Sequence, residues 1–380
     1  QLYAIKTVDT VDFIGYSKEH QAYVFNDRAI AAGQVAPIND EDYFEVGKLS
    51  LKSLNQSVHL NIGDAGDYSD EWVQLVWECF GAKGMIAVAF WLGSLFAEQI
   101  RTAHKSYPFL EIVGEPGAGK STLIEFLWKL VGRLDYEGFD PSKSTMAARS
   151  RNFAQVSNLP VVLIEADRDE DTAKARKFDW DELKASDNGR ASRARGVKTG
   201  GNETYEPPFR GSIVISQNAD VNASEAILQR IIHLGFDRSR HTGTTKAAAE
   251  KLESMPLPKV SHFLELACKQ EARVMDTVRR QTAIHEKRLM ALNGLKSVRI
   301  AKNSQTRWQS LCPSPTCRWK RSSTRFAISR SSGRKPSPPT IQSCGNSGRH
   351  STSSIQATMV PRSSTTARTT RRLQSISTIS

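Results

Sequence analysis

Residues 114–121 read GEPGAGKS and satisfy every fixed position of the pattern G-x-x-x-x-G-K-[ST]. The apolar run FLEIV precedes them and the apolar run LIEFLWKLV follows after one threonine. A loop of small residues lets successive backbone N–H groups point inward at phosphate oxygens, where a larger side chain would block the approach. The helix that such a loop opens adds the positive end of its dipole. Strand, phosphate loop and helix in this order predict an α/β architecture built around a nucleoside triphosphate. Gly114, Gly117 and Gly119 are expected to form the cradle, Lys120 to reach the β and γ phosphates of ATP, Thr122 to belong to the nucleotide-binding loop, and Ser121 to ligate Mg2+.

The flanking sequence fits that architecture. Residues 1–68 alternate the short runs DFIGYS, QAYVFND and YFEVGKLSL with Gly, Asn and Asp turn signals, which predicts a small β-rich module. The chain begins at Gln1 and not at a methionine, so a fragment or processed product is expected, with this module shortened. From Ser69 to about Lys105 apolar residues recur at three and four positions, a helical pattern. Strands and helices then alternate: PFLEIV, a helix from Lys120 to about Leu134, a helix near 144–156, LPVVLIE and RGSIVIS. Alternation of this kind predicts a parallel sheet covered by helices, with the nucleotide core spanning 69–245. Residues 246–303 read as a helical segment in which MPLP separates two helices.

Composition assigns the remainder. The chain of 380 residues carries a formal charge of +12, but its last 77 residues hold 13 Lys and Arg and no Asp or Glu. Without that tail, residues 1–303 carry −1, so whole-chain pI says nothing about the ligand and nucleic-acid binding must rest on a local patch. The tail has 30 Ser and Thr against 9 Leu, Ile, Val or Phe, which predicts disorder over 304–380. Arg outnumbers Lys there 11 to 2, and the acid-containing helical pattern stops abruptly near RIAKN, so the tail reads as a basic arm or as out-of-frame translation. Cys79 and Cys268 stand among apolar residues and Cys312, Cys317 and Cys344 lie in the tail, with neither zinc spacing nor a disulfide framework. The most apolar stretch, GMIAVAFWLGSLFA at 84–97, is 14 residues long, short of the roughly 18 of a membrane span, and reads as a buried core helix. With no secretory leader, a cytoplasmic location without a membrane partner is expected.

Three further features bear on chemistry. The strand LPVVLIE ends in Glu165, followed two residues later by Asp167. Residues i and i+2 of an extended chain face the same side, so both acids can look at one phosphate site. One would hold the Mg2+ shell and the other polarise the attacking water, with Glu165 favoured for the metal and the order left open. The strand RGSIVIS runs on into Gln217 and Asn218, where an amide can hydrogen-bond the attacking water or the γ-phosphate. Twelve residues later Arg230 stands in the apolar segment ILQRIIHLGF, read as a helix. Burying that charge calls for an anionic partner, either a local carboxylate such as Glu225 or the γ-phosphate of a neighbouring subunit. Between the acidic and amide strands, Arg190, Arg193, Arg195 and Lys198 surround glycine-containing turns, a basic hairpin or loop suited to nucleic-acid phosphates.

The order of phosphate loop, acidic strand, basic hairpin, strand ending in Asn and Arg in an apolar segment resembles the superfamily 3 helicases and the AAA+-like ATPase domain of phage and virus primase-helicases. SNLPVVLIEAD and EPPFRGSIVISQNAD resemble the prophage and integrative-element branch. The resemblance covers about residues 70–245. It implies a homo-hexameric ring that hydrolyses ATP with Mg2+ between subunits, Arg230 acting across the interface, and that draws single-stranded DNA through its centre on the basic hairpins. A primase module or a replication initiator is the implied partner. Without the ring, the same phosphate loop is compatible with a small-molecule phosphotransferase or a nucleotide-binding scaffold.

Overall fold

The computed structural model describes residues 6–164, 178–190, 195–196 and 204–291. The N-terminal strands β1 (Asp9–Val11), β2 (Ile14–Ser17), β3 (Ala22–Val24), β4 (Arg28–Ala31), β5 (Gln34–Pro37), β6 (Phe44–Val46) and β7 (Leu49–Ser53) form the expected β-rich segment. Two helices follow, α1 (Trp72–Ser94) and α2 (Ala97–His104). The central region contains β8 (Phe109–Gly114), α3 (Lys120–Leu130), α4 (Met146–Ala154), β9 (Val156–Ser157), β10 (Pro160–Ile164) and a 3-10 helix over Trp180–Asn188. The short strands β11 (Arg195–Gly196) and β12 (Thr204–Tyr205) precede β13 (Ser212–Gln217), α5 (Glu225–Leu228) and β14 (Ile231–Phe236). Helices α6 (Gly243–Ser254), α7 (Leu257–Lys269) and α8 (Glu271–Met290) complete the described chain.

The centre is a wholly parallel four-stranded sheet in the order β10-β13-β8-β14. Strands β8, β10 and β13 are buried along almost their whole length, which is why they read as continuous apolar runs and not as alternation, whereas the edge strand β14 alternates buried and half-buried residues. The fourth strand departs from expectation. Of the segment ILQRIIHLGF only Ile227 and Leu228 are helical, as the end of α5, and Ile231–Phe236 pairs with β8 from Ile231 opposite Phe109 to Phe236 opposite Gly114. A six-residue apolar run suits either state by pattern, and here the otherwise open edge of β8 supplies backbone partners that only an extended segment can use.

One hydrophobic core joins the regions. It runs from Ile14, Tyr23 and Phe25 of the N-terminal strands through Trp72 and Trp91 of α1 to Trp128 of α3 and Phe263 of α7. Trp91 and Trp128 meet edge to face at 5.4 Å. Helix α6 packs on α1, and α7 on α3 and β4, so these helices share the core. The N-terminal segment is stitched on through β9, which pairs in parallel with β2. That join requires a glycine: a Cβ on Gly15 (φ +116) would lie 1.8 Å from the Ser157 carbonyl oxygen.

Helix α1 is 23 residues long, with a kink at Gly81, and is apolar enough to cross a membrane by length and composition. It is nevertheless a core helix, because 78% of its most apolar window is buried inside the protein. Length therefore does not decide the matter, as the 14-residue stretch suggested, and burial does. Cys268 is buried and Cys79 half-buried, both as free thiols. Burial pushes the Cys79 thiol up to about 11 and the Cys268 thiol well above its ordinary range. At pH 8 both are expected to resist iodoacetamide in the native protein and to react in urea, which peptide mass mapping would show. The expected disorder of 304–380 lies outside the described residues.

Candidate active site

The glycine-rich loop leaves the C-terminal end of β8, which has β13 on one side and β14 on the other. In open α/β sheets the crevice beyond the strands' carboxyl ends is where ligands bind. Gly117 (φ 78) and Gly119 (φ 84) hold left-handed backbone conformations, and a Cβ on Gly114 would stand 2.1 Å from the Phe236 carbonyl oxygen. The loop thus needs its glycines for shape as well as for access.

Lys120 opens α3, with Gly119 as its N-cap. Its Nζ donates to the carbonyls of Gly114 (2.6 Å) and Glu115 (3.1 Å) and to Asn218 Oδ1 (2.7 Å). Asn218 directly follows β13, whose last residue, Gln217, pairs with Val113 of β8. Two residues 98 apart in sequence, expected to share a phosphate, are therefore in contact. The two hydroxyls of the loop are held by acids that the sequence pattern did not single out. Ser121 Oγ donates to Glu137 Oε1 at 2.7 Å, and Thr122 Oγ1 to Glu253 Oε1 of α6 at 2.9 Å. Partial burial, then the carboxylates of Glu137 and Glu253, push the Glu125 carboxyl up. A second cation approaches from the segment after β14. Arg238 Nε donates to the Pro116 carbonyl at 3.1 Å, and its backbone N–H donates to Glu115 Oε1 at 3.3 Å.

Beneath the loop strand lies a fully buried carboxylate, Glu111. It accepts the Val221 N–H at 2.6 Å and meets His233 Nδ1 at 2.6 Å. Ligand atoms of Glu111, Asp220 and His233 lie within 4.8 Å of one another, a spacing that could hold a metal ion. Both Glu111 oxygens are already engaged with Val221 and His233, so the arrangement acts as a hydrogen-bonded prop between β8, β14 and the segment that carries Asn218.

Glu165 and Asp167 lie outside the described residues; β10, which leads to them, stands beside β13. Arg193 and Lys198 also lie outside. Of the expected hairpin only two short strands are described, β11 and β12, which pair antiparallel, Arg195 opposite Tyr205 and Gly196 opposite Thr204. Arg190 is exposed at its foot. Both feet are tied to the buried Arg101 of α2, which donates to Ser186 O (3.2 Å) and Asp187 O (3.2 Å) on one side and to Gly211 O (2.6 Å) on the other.

Arg230 sits at the opposite end of the sheet from the loop. It precedes Ile231, whereas Phe236 at the far end of β14 pairs with Gly114, a separation of about 20 Å at the rise of a strand. Its Nε donates to Asp187 Oδ2 at 2.8 Å in a buried ion pair. A carboxylate 43 residues upstream is the local partner, not Glu225.

Neither a protein-family model nor a curated protein sequence matches the chain. The solved structure described as SCCmec type IV Cch, an active helicase, matches with TM-score 0.55 at 13% identity, over 81% of this chain and 56% of its own. The fold is helicase-like. This chain thus spans just over half the length of that helicase. The NrS-1 C-terminal region (TM-score 0.32, 12% identity, 72% of this chain and 77% of its own) and the JCV helicase (0.27, 12%, 56% and 71%) also match, at scores too low to carry an argument.

Proposed function

We propose that the chain is the ATP-hydrolysing part of a DNA helicase, a P-loop motor of the AAA+-like, superfamily 3 kind, which couples turnover to movement along single-stranded DNA. The observation that carries this reading is the 2.7 Å contact between Lys120 of the glycine-rich loop and Asn218 at the end of the neighbouring strand. A cation and an amide converge at the carboxyl ends of adjacent parallel strands, where a γ-phosphate needs both charge and a polar partner for the attacking water. On binding ATP, Lys120 Nζ exchanges the Gly114 and Glu115 carbonyls for phosphate oxygens while Asn218 stays within reach. The hydroxyl of Ser121 and the carboxylate beside it are hard oxygen donors, the set that suits Mg2+, which would supply charge neutralisation at the β and γ phosphates. Glu165 and Asp167 remain the proposed acids for metal and water.

Arg230 supports an assembly. About 20 Å from its own loop along β14 and paired with the buried Asp187, it would have to exchange that carboxylate for the nucleotide of a neighbouring subunit, in a ring read as a homo-hexamer. The antiparallel pairing of β11 with β12 favours DNA over a small acceptor, since it falls within the stretch of sequence that carries Arg190, Arg193, Arg195 and Lys198. The burial of α1 fits a cytoplasmic motor without a membrane partner. A primase module or replication initiator would be supplied by another chain or segment.

The deciding measurement is phosphate release by the whole chain with and without single-stranded DNA. A motor is stimulated. A small-molecule phosphotransferase is indifferent to DNA, and a scaffold binds ATP and releases no phosphate. Replacing Arg193 and Arg195 together with alanine is expected to cut DNA stimulation by about 10-fold or more, and to flatten the salt dependence of DNA binding, through lost phosphate contacts. Full stimulation in that variant would remove the hairpin from the DNA path.

A further inference from the structure

The side chain of Glu137 is placed with more care than a surface acid needs. Its backbone carbonyl accepts the Trp128 Nε1–H at 3.1 Å. Two residues on, Phe139 pairs in parallel with Leu163 of β10, its N–H on Val162 O (3.1 Å) and its carbonyl accepting Ile164 N–H (2.9 Å). Residues 137–139 are therefore fixed from both sides, by the end of α3 and by the strand that leads to Glu165. From that anchor Glu137 Oε1 reaches Ser121 Oγ at 2.7 Å, the one hydroxyl that the nucleotide reading assigns to the metal. Glu137 is half-buried.

We propose that Glu137 is a magnesium-shell carboxylate of this site, capping Ser121 in the free protein and accepting hydrogen bonds from metal-bound water once Ser121 has turned to Mg2+. The inference rests on the nucleotide reading and deepens it. A carboxylate at this place repels a bare triphosphate and attracts a divalent cation, so it makes nucleotide binding depend on metal. Both effects follow from its charge, and neither needs it to touch the phosphates. Glutamine at 137 keeps the shape and an acceptor for Ser121 but removes the charge.

The test is binding, not turnover. A non-hydrolysable ATP analogue is titrated into the whole chain in EDTA and then with Mn2+, the free metal being followed by its EPR signal. Glu137→Gln should bind the analogue in EDTA at least as tightly as the unaltered chain and need about 10-fold or more Mn2+ for half-saturation, the scale for losing an outer-shell partner of a metal. Glu137→Asp, which retracts the carboxylate by one methylene, should shift Mn2+ in the same direction and serves if the glutamine variant does not fold. Mn2+ half-saturation within about twofold of the unaltered chain, with analogue binding still abolished by Lys120→Ala, would overturn the role of Glu137 alone. Failure of the unaltered chain to bind the analogue would overturn the nucleotide reading and this inference together.

Discussion

Replacement of Lys120 by alanine is expected to lower ATP hydrolysis by at least about 100-fold, the scale for removing one positioned charge or donor from a transition state. The lysine ammonium stands in a crevice with Asn218 on one side and the carbonyls of Gly114 and Glu115 on the other, so it is held where phosphate oxygens would displace only weak loop contacts. Among the described residues no nearby group replaces it. Arg238 is spent on the Pro116 carbonyl and the Glu115 carboxylate, at the outer side of the loop. The fold should survive, because Glu115, Pro116 and Gly117 are exposed and the change frees only two loop carbonyls, those of Gly114 and Glu115. A thermal melt close to that of the unaltered chain, with loss of both nucleotide affinity and turnover, is the expected pattern. Turnover retained in Lys120→Ala would reject the loop as the catalytic phosphate site.

The parts of this site that the sequence displays, and those it hides, differ for physical reasons. The loop, β8, β10 and β13 are legible because a strand buried on both faces must be apolar throughout, and because a phosphate loop leaves glycines at fixed spacing. Asn218 is legible as a polar residue at the end of such a run. Strand β14 is not, since IIHLGF suits either periodicity and its state is decided by the free edge of β8, 122 residues from His233 to its partner Glu111. Glu111 itself interrupts FLEIV, the one local sign that an ionisable group is buried with partners. Glu137 and Glu253 carry no sign at all: each lies among ordinary acids, and only the fold brings it to a loop hydroxyl. Arg238 falls in DRSR directly after the apolar run, a cluster visible in sequence, but its reach back to Pro116 depends on β14 running parallel to β8.

Arg230 has two claims on it, and separating them requires more than its removal. In the free subunit it is paired with Asp187 at 2.8 Å, both side chains buried. Arg230→Ala alone removes the guanidinium that the buried Asp187 carboxylate is hydrogen-bonded to, which should destabilise the subunit by about 3–5 kcal/mol. Lost hydrolysis in the single variant would then report unfolding as readily as catalysis. Removing both partners, as Arg230→Ala with Asp187→Ala, should recover much of the stability, since neither member of the buried pair is then left without the other. If Arg230 also acts on the nucleotide of a neighbouring subunit, the double variant should fold and bind the ATP analogue, yet hydrolyse at least about 100-fold more slowly, because the lost contact exists mainly in the transition state. Mixing it with Lys120→Ala subunits should restore part of the rate, since an interface with Lys120 on one side and Arg230 on the other is again complete. The thermal melt and phosphate release of the two single variants, the double variant and the mixture together decide the matter. Hydrolysis recovered by the double variant on its own would make Arg230 a structural residue only, and a stable double variant that the mixture fails to rescue would remove the interface, and with it the ring.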